Sequence, residues 1–165
     1  MNSFKAGDTM EKDAQESVIE QNLKVLRSIP AFRQLDYNIL SLFALVADRR
    51  KYAKGEIIFS RGDLLSTAFI IVHGQVELFL DSPHERNDLE RLGPGNFFGY
   101  MALLAEIPFN VGACAITECE LLTLDRDNFR KVMVRHPGSC ILVVEKLIQA
   151  RMKRMDCHMD LLLKS

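Results

Sequence analysis

Residues 92–115 read LGPGNFFGYMALLAEIPFNVGACA, and this stretch constrains the fold more than any other. Gly93, Gly95 and Gly99 let the backbone turn tightly where a side chain would obstruct it. The helix formers Met101, Ala102, Leu103 and Leu104 come next, so a short helix over 100–105 is expected. Pro108 stops it and Val111 restarts an extended run. A short helix leaving a glycine-rich turn presents its first N–H groups as an anion cradle. The residues before the cradle read as the first part of a β-rich shell. Those after it read as closing strands and a helical lid.

A chain of 165 residues is long enough for one domain with its own core. With 48% hydrophobic and 26% charged residues it has the composition of a folded domain, not of a disordered one. A formal net charge of −1 supplies no overall field for nucleic acid or anionic lipid. Cys114, Cys119, Cys140 and Cys157 form no CxxC pair, which fits free thiols in a reducing compartment. The N-terminus lacks a signal-like apolar core, and no apolar run approaches the roughly 20 residues that span a bilayer. A cytoplasmic protein is expected.

Residues 1–14 are polar and read as loose, and 15–50 as N-terminal helices. Val18, Ile19, Leu23, Val25 and Leu26 are spaced for an amphipathic helix that Ile29-Pro30 ends. Asp36 is the expected N-cap of a second helix carrying Ile39, Leu40, Phe43 and Val46, with Asp48-Arg49-Arg50-Lys51 as its solvated end. From 51 to 125 the period shortens to that of strands. Residues 57–59, 68–72, 76–80 and 90–92 are strand candidates, and 111–116 with 120–124 read as a pair joined at Thr117-Glu118. Short strands with glycine turns suggest a closed antiparallel roll or barrel. Asp125 then caps a helix that stops at His136-Pro137-Gly138, and Ser139 caps a long helix reaching about 163. Helices and lid occupy 126–165.

Residues 26–30, Phe32 and Leu35, then Lys54-Gly55-Glu56, Gly62-Asp63, 69–72, Gly74, Val76 and Pro94-Gly95-Asn96-Phe97-Phe98-Gly99 occur in that order. Together they resemble the cyclic-nucleotide-binding domain of catabolite-activator-type regulators, kinase regulatory subunits and gated channels. The resemblance spans about 29–164. It implies a mainly β fold with flanking helices: an eight-stranded, jelly-roll-like double-stranded β-helix with N-terminal helices and a long C-terminal lid helix. It also makes 93–112 the phosphate-binding cassette and cyclic AMP, cyclic GMP or another nucleoside-like molecule the implied ligand. The implied ligand-binding residues are Gly99, Tyr100, Met101, Ala102, Phe109, Asn110 and Val111.

The cassette departs from the family pattern at two positions. Where the family places a glutamate for the ribose and an arginine for the cyclic phosphate, this chain has Tyr100 and Phe109. Losing an arginine fork costs about 3–6 kcal/mol, roughly a hundredfold to more than ten-thousandfold in affinity. Losing both charges is expected to leave a neutral cavity, with backbone N–H groups of 99–102 and the Asn110 amide as remaining donors. Three readings stay open: a retired or altered site, a weak cyclic-nucleotide site, or a site for another ligand.

His73, His84, His136 and His158 are scattered singly, with no metal-ligand spacing. No nucleophile–base motif appears, so an enzyme is not expected. Arg151, Lys153 and Arg154 read as a solvated face, since Asp156 and Asp160 come after them. The chain has no room after the lid for a helix-turn-helix, so no DNA-binding domain is expected. Ile141, Ile148, Met155 and Leu162 recur every seven residues. The first two are expected to cover the roll. The later part can pair with its copy in a homodimer, which makes a ligand-free dimerising adaptor the alternative function.

Overall fold

The computed structural model describes residues 18–164, so the expectations for 1–14 and for the first residues of the first helix lie outside the described residues. Residues 18–28 are helical (α1), and α2 spans Tyr37–Val46. Asp36 stands at the N-cap of α2 as expected, but its side chain makes no capping bond; its carbonyl accepts from the Ile39 and Leu40 amides.

Eight strands come next in the chain: β1 Asp48–Tyr52, β2 Ile57–Phe59, β3 Thr67–His73, β4 Val76–Asp81, β5 Arg86–Leu92, β6 Phe97–Phe98, β7 Gly112–Ala115 and β8 Cys119–Asp125. They form two antiparallel sheets of four, ordered β1-β8-β3-β6 and β2-β7-β4-β5. Helix α3 spans Arg126–Val134 and α4 Pro137–Lys164. This is the jelly-roll-like β-roll with flanking helices and a long last helix.

Strand β3 shows why the roll has two cores. Ala68 and Ile70 face the helices, where they join Leu26, Phe32, Phe43, Phe129, Val143 and Leu147. Phe69 and Ile71 face the opposite sheet, where they join Phe59, Leu78, Phe98 and Leu121. Both faces are buried, so the strand is a continuous apolar run.

Four readings of the sequence need correction. The charged segment 48–51 belongs to edge strand β1, paired with β8, and does not end a helix. Arg49 donates to Asn22 Oδ1 at 2.8 Å and to Glu120 Oε1 at 3.1 Å, so α1 and β8 hold its charge; the remaining charges protect an open edge. Strands β7 and β8 are not a pair, because they lie in different sheets. The connection between them packs on the β3–β4 turn: the Ile116 amide donates to Gln75 O at 3.0 Å, and the Gln75 amide to Thr117 Oγ1 at 3.0 Å. Helix α4 starts at Pro137, two residues before the expected cap Ser139, with the Cys140 amide bonded to His136 O. Proline suits a first helical position because the N–H it lacks would have no partner there. Finally, Ile141 and Ile148 do not cover the roll, being 65% and 47% exposed. Val143 and Leu147, one turn apart on another line of the helix, are the buried pair.

Asp125 behaves as predicted, accepting the Asp127 and Asn128 amides at 3.1 Å. Removing that cap (Asp125→Ala) is expected to destabilise the protein by about 1 kcal/mol in urea denaturation. Cys114, Cys119, Cys140 and Cys157 are free thiols. No helix among the described residues is long and apolar enough to cross a membrane.

Candidate functional site

The expected two-turn cassette helix is shorter than predicted, a 3-10 helix over Tyr100–Leu103 entered through Gly99. A Cβ at Gly99 would press on the Phe69 ring at 3.2 Å and would sit on a backbone with φ +67°, so glycine meets both demands at least cost. The loop after this helix is fixed by backbone bonds to the 60–63 turn. The Phe109 amide donates to Asp63 O at 3.0 Å, and the Gly62 amide to Phe109 O at 2.7 Å. Ser60 N donates to the Asp63 carboxylate at 2.8 Å and closes that turn.

Between this cassette and α4 lies a cavity of about 310 Å³. Gly99, Tyr100, Met101, Phe109, Asn110 and Val111 line it. Ala102 does not: it is buried in the inter-sheet core, and its carbonyl accepts from Arg126 Nε. The Phe109 ring lies 4.2 Å from that of Phe59, centroid to centroid, so it fills space in the floor. Tyr100 is buried beside Phe97, with the Arg154 guanidinium 5.8 Å from its ring. Burial pushes the Tyr100 hydroxyl pKa up, against the opposing pull of Arg154 and Arg151, so it is a neutral donor at physiological pH. Asn110 is exposed at the rim, and its amide makes no hydrogen bond among the described residues.

The cavity is not neutral. Arg151, Arg154 and His158, one face of α4, form part of its wall together with Met155. This overturns the expectation of an uncharged pocket and of a wholly solvated basic face on α4. The overlooked signal was the spacing: 151, 154 and 158 fall on one helical face. Strand β5 carries an extra residue, Leu89, between the pairs Leu78↔Glu90 and Phe79↔Asp88. Such bulges re-aim side chains, and next to this one Glu90 meets α4. Its Oε2 lies 3.2 Å from Arg154 Nε and 2.9 Å from His158 Nε2. Arg154 Nη1 also donates to Phe97 O at 3.2 Å. Glu90 thus latches α4 to the roll. Glu90→Ala is expected to cost about 1 kcal/mol in this half-exposed setting and to speed amide exchange along 150–160 without unfolding the roll. Unchanged exchange there would rule the latch out.

A second cavity, about 550 Å³, lies against residues 29–31 and 95–97 and is lined on α4 by Lys146 and Lys153. Apart from Tyr100 it contains none of the expected ligand-binding residues. Among the described residues, no three His, Cys, Asp or Glu side chains are grouped to hold a metal ion.

Fold and cavity together define a β-roll whose apolar interior opens beneath a C-terminal helix. The chain belongs to the cyclic nucleotide-binding domain family, whose pattern it matches over residues 49–136. It is similar to the cyclic AMP receptor protein of Thermus thermophilus, 32% identical over 141 residues, covering 83% of this chain and 63% of that protein. It also resembles the cAMP-dependent protein kinase regulatory subunit of Eremothecium gossypii, 33% identical over 103 residues, covering 62% of this chain and 22% of the relative. The chain therefore spans less than two thirds of the length of either relative. Among solved structures, a cyclic nucleotide-binding-like protein from Brucella abortus superposes with a TM-score of 0.63 at 30% identity, covering 68% of this chain and 97% of that one.

Proposed function

We propose that this chain is a non-enzymatic regulatory module that takes a small nucleotide-like ligand between cassette and α4, with specificity altered by Tyr100 and Phe109. The observation that carries this reading is the position of α4 over the cavity: an occupant touches cassette and helix together. Such a ligand favours the arrangement in which α4 is docked, by as much as its affinity differs between the two arrangements. The volume of about 310 Å³ is at the small end for ligand pockets and suits a molecule of nucleotide size. Cyclic AMP and cyclic GMP are the first candidates, because relatives are named for receiving or responding to cyclic AMP. The test is calorimetry and thermal unfolding with each. A ligand present at about 100 times its Kd should add about 2.7 kcal/mol of stability. No heat and no stabilisation at millimolar cyclic nucleotide would end the cyclic-nucleotide reading.

A second reading, pairing of two copies through α4, rests on a separate observation. Ile148, Met152, Met155, Met159 and Leu162 alternate by four and three residues, and Met152 and Met159 are 54% and 53% exposed. That is the spacing of a two-helix seam. Light scattering should give a dimer for the wild type and a monomer for the double variant Met152→Glu/Met159→Glu. A monomeric wild type at high micromolar concentration would dispose of the seam.

A further inference from the structure

The walls of the 310 Å³ cavity differ in character. On the roll and cassette side stand Phe59, Leu78, Phe98, Met101, Phe109 and Val111, with no cation. All the basic groups come from α4. Two are engaged, because Arg154 and His158 share the Glu90 carboxylate. Arg151 is different: it lines the cavity, is half-buried, and makes no hydrogen bond or ion pair among the described residues. A partly desolvated guanidinium without a partner is unfavourable, and an anion placed before it relieves that cost. Tyr100 also lines the cavity; its hydroxyl has no hydrogen-bond partner among the described residues and stays protonated, so it is a second, neutral donor available to an anion there.

We propose that Arg151, on the lid helix, is the anion-binding residue of this cavity, and that the ligand is a monoanion with a flat ring body. The ring packs on the Phe59, Phe98 and Phe109 wall. The charge points at α4. Cyclic phosphodiesters and aromatic carboxylates share this chemistry. The proposal deepens the nucleotide-module reading and rests on this cavity being the ligand site. Its mechanical consequence concerns the lid. With the cationic clamp on α4 and a neutral donor, Tyr100, on the cassette, the ligand's charge acts directly on helix docking. A neutral ligand of the same shape can enter, but gives α4 less reason to close.

The experiment measures binding of cyclic AMP, cyclic GMP, 1-naphthoate and uncharged 1-naphthylmethanol to wild type, Arg151→Met and Arg151→Lys. At least one anion is expected to bind the wild type, and Arg151→Met should weaken it about tenfold to a hundredfold. Naphthylmethanol should bind both proteins about equally. Arg151→Lys should fall between, since it restores charge without the planar fork. Arg151→Met should unfold no earlier than the wild type, because it removes a half-buried guanidinium that holds no partner among the described residues. If cyclic nucleotides bind Arg151→Met as tightly as wild type, the proposal fails and the nucleotide reading stands. If naphthoate alone binds, and in an Arg151-dependent way, the proposal stands and the nucleotide reading fails. If no probe binds at millimolar concentration, both fail.

Discussion

Gly74→Ala is expected to destabilise the protein by about 2–5 kcal/mol. Gly74 turns the chain from β3 in one sheet to β4 in the other at φ +90°. A side chain in that left-handed conformation costs about 1–2 kcal/mol. The added Cβ would also fall on Glu118 O and lie 2.8 Å from Cys119 Sγ and 2.9 Å from Cys119 Cα. Those atoms cannot step aside. The 116–118 connection is bonded to Gln75 through Ile116 and Thr117, and the Cys119 thiol donates to Gln75 O at 3.1 Å. Overpacking of this kind adds about 1–3 kcal/mol. For a chain of this size the melting point should drop by about 4–20 °C. Gly55→Ala is the control, since φ is +86° there but nothing lies within 4 Å of the new Cβ. It should show the conformational cost alone. Equal losses for the two variants in urea denaturation would mean that the contact with the 116–118 connection contributes nothing.

Gly74 also shows what was legible in advance. The glycines that carried the family resemblance, at 55, 62, 74, 95 and 99, are the glycines with positive φ, and no other described residue has that conformation. A backbone requirement of this sort leaves a mark in one-dimensional sequence because only glycine meets it cheaply. The double-faced apolar run of β3 was legible for a similar reason, as burial on both sides removes polar residues from both parities.

Partnerships at a distance were not legible. Arg49 and its neighbours read as a solvated helix end because their partners, Asn22 and Glu120, are 27 and 71 residues away. The pairing of 111–116 with 120–124 failed because adjacency in sequence suggested a hairpin, whereas the closing connection crosses between sheets. On α4, the seven-residue period was real but marked an exposed line, while two residues, Val143 and Leu147, fixed which face docks. The site obeyed the same rule. Of the seven cassette residues read from the sequence, six line the cavity and Ala102 is turned into the core. The cations reaching the cavity from α4 were missed, since nothing local links 151 to 109.

Arg126→Met is expected to cost about 2–4 kcal/mol and to loosen the cassette selectively. The 3-10 helix Tyr100–Leu103 is too short to satisfy its last carbonyls internally. Arg126, the first residue of α3, does so instead: Nε donates to Ala102 O, and Nη2 to Ala105 O at 3.1 Å and Leu65 O at 3.2 Å. Arg130 Nη2 adds a bond to Leu104 O at 3.1 Å. One guanidinium therefore ties the cassette exit and Leu65 to the start of α3, and methionine keeps the stem's packing while removing every side-chain donor. The loss is smaller than three full charge-assisted bonds because Leu65 and Ala105 are only half-buried and their freed carbonyls can take up water, which leaves the carbonyl of buried Ala102 as the main cost. Amide exchange should rise at 102–105 and around 65 while the β3–β8 ladder stays protected. Arg126→Lys should recover less than half of the stability, because one ammonium cannot serve carbonyls spread over a planar fork. Full recovery by lysine would show that charge alone is needed there. An Arg126→Met protein with wild-type stability and exchange would show that the cassette holds its shape without α3. Ligand affinity would then have to be independent of this residue, whereas the geometry predicts that a looser cassette binds more weakly, because part of the binding energy goes into ordering it.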